Sequence, residues 1–322
     1  MSDPISTWQP TATLAVLHER AKYIQHIRHF FAERNVLEVD TPLLSRFTVT
    51  DPHVVGIPAF FRDLGSTKTT DLYLQTSPEY AMKRLLAAGS GPIYQLCKAF
   101  RQGDLGTIHN PEFTMLEWYR PGFTHHDLMD EMDELLQRIL RTGSAERLSY
   151  AAVFEKFLNL NPHTTSTHEI AEKVRDHIQL ASDIQDRNTL LDLLLTHCIE
   201  PFIGLDRPVF LYDFPVSQAA LAKIREEENP TVASRFEVYF KGVELANGFH
   251  ELQNPVEQRK RFESDLAYRA HHDMPIFPID ELFLKALEHG LPDCAGVALG
   301  VDRLIMLALN KQSIRDVLSF GF

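Results

Sequence analysis

The chain has 322 residues, 44% of them hydrophobic and 24% charged, which fits a packed globular protein and excludes a disordered one. At roughly 150 residues per domain this length suggests about two domains, or one with an insertion. Its 32 Lys and Arg against 44 Asp and Glu leave a net charge of −12, so no general field attracts polyanions and nucleic acid could be met only through a local basic patch.

Other classes fall away quickly. The start, MSDPISTWQPTATL, lacks a basic segment followed by an apolar run, and no apolar stretch approaches the ~18 residues of a membrane span. Cys97, Cys198 and Cys294 are too scattered for a disulfide framework, which predicts a reducing cytoplasm. Neither GxGxxG nor GxxxxGK[ST] occurs, so a nucleotide site would be neither of the Rossmann nor of the P-loop kind.

Within residues 12–34, Leu14, Leu17, Ala21, Ile24, Ile27 and Phe31 recur at helical spacing. Val36–Thr41 reads as a strand stopped by Pro42, and Leu72–Thr76 as another. Ser77-Pro78-Glu79 opens a helix with Ser at the N-cap, Pro at the first position and an acid in the first turn; it ends near Gly89. Ile93–Arg101 and Phe113–Arg120 read as an antiparallel pair joined by the polar loop Gln102–Glu112, with Phe113, Met115, Glu117 and Tyr119 on one face. Residues 127–140 form a helix, and 144–205 a mostly helical insertion. Val209–Phe214 returns to strand. Phe236–Asn247 reads as a longer strand with a turn signal at Asn247-Gly248. Pro255–His271 is a charged helix. Gly296–Gly300 is a strand of small alternate residues running into a helix that carries Asp302 and Arg303 in its first turn. Hairpins with grouped helices predict an α+β fold with an antiparallel sheet flanked by helices.

Three constellations could carry chemistry. Arg101 at a strand end can clamp phosphate oxygens, with the nearby Phe113 stacking on a base; taken alone they also fit a surface Arg and a core Phe. Glu244 and Glu251 lie seven apart, which is opposite parity in a regular strand. A bulge or turn near Asn247-Gly248 would bring both carboxylates to one side, where a cation such as Mg²⁺ or a substrate ammonium must sit between them; two solvated acids are the alternative. Gly296, Ala298 and Gly300 leave one strand face almost bare, so that a ligand can lie against the backbone, with Arg303 at a helix start beside it; close sheet packing would look the same. The histidine pairs at 125–126 and 271–272 do not share a face in regular structure, and no zinc site is expected.

These segments together resemble the signature motifs of class II aminoacyl-tRNA synthetases. FFAERNVLEVDTP resembles motif 1, the dimer-interface element; FRQGDLGTIHNPEFTMLEWY resembles motif 2; GVALGVDRL resembles motif 3. TSPEY, HNPEFTMLEWY and VELANGFHEL point to the lysine branch. Motif 1 begins by about residue 28 and leaves no room for the anticodon-binding barrel that lysyl-tRNA synthetases carry, so the expectation is one catalytic domain, 1–322, with the insertion at 144–205. The chain is therefore similar to the stand-alone lysyl-tRNA synthetase paralogues that activate (R)-β-lysine with ATP and transfer it to a lysine ε-amine of elongation factor P.

What the resemblance implies for each position follows. Arg101, Glu244, Glu251 and Arg303 would be catalytic, Arg101 on the α-phosphate and Arg303 on the γ-phosphate. Gln102, Gly103, Asn110, Phe113, Leu245 and Gly300 would complete the ATP site, with Asn110 and Phe113 on the adenine. Glu244 and Glu251 would hold Mg²⁺. Ser77, Pro78, Glu79, Glu117, Tyr119, Asn247, Phe249, Glu251 and Ala298 would line the amino-acid pocket. Expected partners are the two small substrates, elongation factor P and a second copy of the chain; tRNA and membranes are not. Two departures stand out. The run Arg101-Gln102-Gly103-Asp104 displaces and shortens the motif 2 acid, and Ala298 replaces a motif 3 glycine. Aminoacylation of tRNA or another small acceptor, and a non-catalytic lysine-sensing paralogue, are the competing functions.

Overall fold

The computed structural model describes residues 8–65, 68–179 and 184–322. Two compact units are found. The first comprises the described residues up to Gly122 together with Gln253–Cys294 and Ala298–Phe322; the second is Phe123–Leu252 with Ala295–Val297.

The first unit opens with helix α1 (Leu14–Ala32), two residues shorter at each end than its apolar period suggests. Thr13 Oγ1 accepts from the Val16 N–H at its start. The helix buries Ile27, Phe30 and Phe31, the last stacked on Tyr94 at 4.4 Å and edge-on to Trp118 at 5.4 Å. The strand expected at Val36–Thr41 survives only as β1 (Leu37–Glu38), parallel to β5 below. Strands β2 (Leu44–Ser45), β3 (Ile57–Arg62) and β4 (Thr69–Leu74) form a small antiparallel sheet in the order β2–β4–β3. The strand expected at Leu72–Thr76 thus begins earlier and stops before Gln75, whose N–H is taken by the Leu43 carbonyl.

Helix α2 (Glu79–Ala87) follows. Pro78, not Ser77, takes the cap position, yet Ser77 Oγ still accepts from the Glu79 N–H at 3.1 Å. Strands β5 (Ile93–Phe100) and β6 (Glu112–Pro121) pair antiparallel from Ile93↔Tyr119 to Phe100↔Glu112, as predicted.

The second unit begins with α3 (His125–Leu140), closed by a Thr124/Asp127 capping box. The segment at 144–205 is largely helical, though residues 180–183 lie outside the described residues and its first element is a strand. It contains β7 (Glu146–Ser149), α4 (Tyr150–Leu158), α5 (Thr167–His177), α6 (Arg187–Leu194), a π turn Leu195–Ile199 and a 3₁₀ turn Glu200–Phe202. Strands β8 (Val209–Pro215), β9 (Ile224–Arg225), β10 (Val232–Phe240) and β11 (Val243–His250) complete the unit. β7 runs parallel to β8; β8, β10 and β11 pair antiparallel. Tyr150, Phe154 and Leu191 from the helices share one core with Leu211, Phe214, Tyr239 and Phe249 from the strands.

One expectation is overturned here. Phe236–Asn247 is not a single strand: β10 turns into β11 at Lys241-Gly242, whose φ values of 51° and 72° are those of a type I′ hairpin. Asn247-Gly248 lies inside β11. A Cβ on Gly248 would stand 2.4 Å from Phe236 Cζ and 3.0 Å from Val297 Cβ, so glycine is there for room rather than for a turn.

The chain then adds α7 (Pro255–His271), α8 (Glu281–Gly290), β12 (Cys294–Gly300) and α9 (Val301–Ala308). Antiparallel pairs dominate throughout, in keeping with the α+β expectation.

Candidate active site

In the first unit, period-two alternation puts Glu117 and Tyr119 on one face of β6, and the geometry uses it. Glu117, 2% exposed, accepts from the Ser77 hydroxyl and from the Tyr119 hydroxyl, each at 2.6 Å. Burial, reinforced by the charge of Glu79, pushes Glu117 up to about 7, against the pull of both hydroxyls and of Lys83. Lys83, one turn along α2 and 1% exposed, reaches Glu79 Oε1 at 2.6 Å. A cavity of about 230 Å³ runs beside them, lined among others by Phe47, Thr76, Ser77, Glu79, Tyr80 and Arg84. Four of the predicted pocket residues are thus brought together with Pro78, and a buried lysine that sequence reading missed joins them. Its signal was the four-residue spacing from Glu79 on a helix.

Two residues past Ala99, Phe113's partner in the register, Arg101 sets its guanidinium over the Phe113 ring, 5.1 Å from the centroid. Its Nε is buried with no hydrogen-bond partner, which leaves a donor for a ligand. Gln102 and Gly103 turn the chain away at an exposed loop, with Gly103 at φ 88° and the Gln102 N–H bonded to the Val55 carbonyl. Asn110 is a brace: its amide donates to the Glu112 carbonyl at 2.7 Å and accepts from the Phe322 N–H at 2.9 Å.

Arg303, in the first turn of α9, donates to the Ile108 carbonyl and to His109 Nε2 at 2.5 Å. A guanidinium only donates, so that nitrogen accepts and His109 is neutral. Burial, then the charge of Arg303, pushes His109 down accordingly, while Asp104 pulls it up. The charge of the displaced motif 2 acid is thus felt by His109. Asp302 is tied down by Arg20 at 2.6 Å and by the Thr114 N–H at 2.7 Å, fixing the start of α9 against β6. Ala298 and Gly300 are the part-exposed alternate positions of β12, between buried Val297, Leu299 and Val301.

In the second unit, the predicted shift of phase exists, but at a different place. Tyr239 pairs with Glu244 and Val238 with Ala246, so Leu245 is the extra residue of a bulge. The bulge puts Glu244, opposite Tyr239, on the face that carries Asn247, opposite Glu237, and Phe249, opposite Arg235. Arg235 Nε donates to Asn247 Oδ1 at 3.2 Å, which turns the amide's NH₂ away from the arginine. Glu237 accepts from Arg235 and from the Tyr239 hydroxyl. The Arg-x-Glu-x-Tyr alternation of β10 was readable as a one-face triad and was missed. Phe249 packs in the core with Phe214 and Tyr239, and Leu245 is buried. Glu251, 1% exposed, bridges to Ala222. Beside Glu244 stands Glu200, unnoticed in the sequence; burial, reinforced by the charges of Glu244, Glu237 and Asp192, pushes it up to about 7.

Among the described residues no group of three or more His, Cys, Asp or Glu could hold a metal by itself. Mg²⁺ asks for less, since one or two carboxylates plus substrate phosphates commonly suffice. Glu244 and Glu251 are hard oxygen donors on one strand and its end, and the acid cluster around Glu244 is a field that a cation relieves, so the residues fit that ion.

No helix of the described residues is long and apolar enough to cross a membrane. Comparison with known proteins agrees with the motifs. The family "tRNA synthetases class II (D, K and N)" matches residues 6–322. The elongation factor P–(R)-β-lysine ligase of Edwardsiella ictaluri (strain 93-146) is 54% identical over 324 residues, covering 100% of this chain and 99% of its own. That of Vibrio cholerae serotype O1 is 56% identical over 326 residues, 98% of each chain. That of Yersinia pestis (strain Pestoides F) is 54% identical over 323 residues, 99% of this chain and 98% of its own. With its motifs, its fold and a match over nearly all its length in agreement, the chain belongs to the class II tRNA synthetase family of the D, K and N type.

Proposed function

We propose that this chain is an ATP-dependent, AMP-forming ligase that activates (R)-β-lysine and transfers the β-lysyl group to a lysine ε-amine of elongation factor P. The full-length similarity to ligases of that name carries the reading. The buried acid Glu117 supports it, with the part-buried Glu79 beside it, because a pocket for an ammonium group needs a carboxylate. No observation favours tRNA as the acceptor or a non-catalytic role.

The amino-acid carboxylate attacks the α-phosphorus of ATP, pyrophosphate leaves, and the acceptor amine then attacks the adenylate carbonyl to form the amide while AMP departs. Positioning and electrostatics do the work, and no protein nucleophile is required. Arg101 supplies its unpartnered Nε and its neighbouring donors to the charge that develops on the α-phosphate. Phe113 offers its ring to the adenine. Arg303, pre-oriented by His109 and Ile108, meets the terminal phosphate. Asn247 presents the NH₂ group that Arg235 has turned outward. Glu244 and Glu251 would hold Mg²⁺, which when bound neutralises phosphate charge. Both units serve one catalytic domain in this reading, with 144–205 as its insertion, and Leu37, exposed within motif 1, with Leu43 and Leu44, exposed just past it, belong to the face of a homodimer.

The test is amino-acid-dependent ATP–pyrophosphate exchange with α-lysine and (R)-β-lysine side by side, followed by transfer with elongation factor P and tRNA offered in parallel. Exchange preferring (R)-β-lysine and label on the protein are expected. Label on tRNA alone overturns the reading.

A further inference from the structure

The lysine that sits under the proposed pocket is unusual for its kind. Its ammonium is almost fully buried, where an uncompensated charge is costly, and its one-turn partner is Glu79. The Phe283 ring lies 5.8 Å from the ammonium. We propose that Lys83 is a positioning residue of the amino-acid pocket: a resident cation that neutralises Glu79 and so reserves Glu117 for an ammonium group of the incoming diamino acid. The inference rests on the reading of Ser77, Glu79, Glu117 and Tyr119 as pocket residues.

The charge count explains why a resident cation helps. Two carboxylates that sense each other in a buried site share one proton rather than both ionise. With Lys83 beside Glu79 that pair is neutral, and Glu117 faces the site as one acid. The groups around Glu117 are few. Glu79 and Lys83 lie on α2, Ser77 just before it, Tyr119 on its own strand, Gln95 directly opposite on β5, and Cys97 next along that strand. Burial pushes the Cys97 thiol up to about 12, so it stays neutral, with Asp40 a further carboxylate on the Cys97 side; Glu79 and Lys83 are the ions that act on Glu117 among the described residues. Both hydroxyls donate to Glu117 and favour its charged form.

The sign of the pH effect follows. Glu117 is raised, so it is protonated below its folded value, and an arriving ammonium must expel that proton. The KM for the amino acid therefore climbs as pH falls through about 7. Lys83 pulls Glu117 down, so removing its charge moves that climb to higher pH.

The experiment is amino-acid-dependent ATP–pyrophosphate exchange between pH 5.5 and 9 for the full chain and for two variants. Lys83→Met removes the charge; Lys83→Gln removes it while keeping a donor for Glu79, and so guards against misfolding. Both are expected to shift the climb in amino-acid KM upward by about one pH unit, raising KM at pH 7 about fivefold, with kcat at saturation within about twofold and the ATP KM unmoved. Folded variants with the parent's KM–pH curve overturn the inference. Should neither variant fold, titration calorimetry of the parent chain near pH 7 in buffers of different ionisation heat decides: proton release on amino-acid binding supports it, and binding without release overturns it. A chain whose exchange no diamino acid stimulates overturns the pocket reading, and this inference with it; exchange with unshifted curves overturns the inference alone.

Discussion

A single methyl at Ala298 is the smallest feature from which a prediction about substrate choice can be drawn. It occupies a part-exposed position of β12, at the place where the motif 3 resemblance leads one to expect glycine. Extra volume in a tight pocket costs ~1–3 kcal/mol, enough to set one isomer against another by tenfold or more. Ala298→Gly should therefore raise exchange with α-lysine relative to (R)-β-lysine about tenfold. An α/β ratio equal to the parent's would refute a role for the methyl. Single residues were legible mainly through contiguous motifs: Arg101, Phe113, Glu117 and Arg303 were singled out by resemblance to a family's signature, while spacing alone left a surface Arg and a core Phe equally open. His109 and Glu200 were missed because each acts through a partner brought close only by folding, whereas Lys83 and Arg235 left local signals, a helix turn and a strand alternation, that went unused. Asn110 was found but its side chain braces backbone, a use that no spacing reveals.

Between β10 and β11 the local and the tertiary signals disagreed. Asn-Gly is a strong hairpin signal, yet the turn formed at Lys241-Gly242, where positive φ is also accessible. The deciding factor is the Phe236 ring, which packs directly over Gly248 and leaves no space for a Cβ. Gly248→Ala should cost ~1–3 kcal/mol by overpacking, seen as a lower midpoint in urea unfolding. It should also weaken the amino-acid dependence of exchange, because Asn247 and Phe249 flank the strained position. An unchanged midpoint would show that the ring moves aside freely. Most other elements were legible from period and capping alone, α1, α2, β5 and β6 among them. Short β1 was overestimated because Val36–Thr41 has strand chemistry but meets a partner over only two residues.

Acid sensitivity belongs to the molecule as a whole. Burial pushes His125, His126 and His163 of the second unit down, and both ring nitrogens of His125 lack a hydrogen-bond partner, Asp213 standing 3.6 Å away. The folded state therefore binds fewer protons than the unfolded one as pH drops past the ordinary histidine range, and that stability is lost on acidification. His125→Phe removes one such site. Its Tm relative to the parent should rise between pH 7.5 and 5.5 by a few degrees, the size of about 1 kcal/mol in a chain this long. A difference that stays constant with pH would remove His125 from the account. The α+β class with its antiparallel bias was legible at this scale, and the length suggested about two domains; that three residues far along the chain join the second unit was not legible, because only folding brings them there. Ala295–Val297 count with the second unit although their strand neighbours on both sides count with the first. Val297 covers Gly248 there. A gene fragment encoding 123–252 would thus lack part of its own core. The second unit is no cassette that one insertion could deliver or one excision remove, and any ancestor that lacked it would have needed a different occupant for the middle of β12.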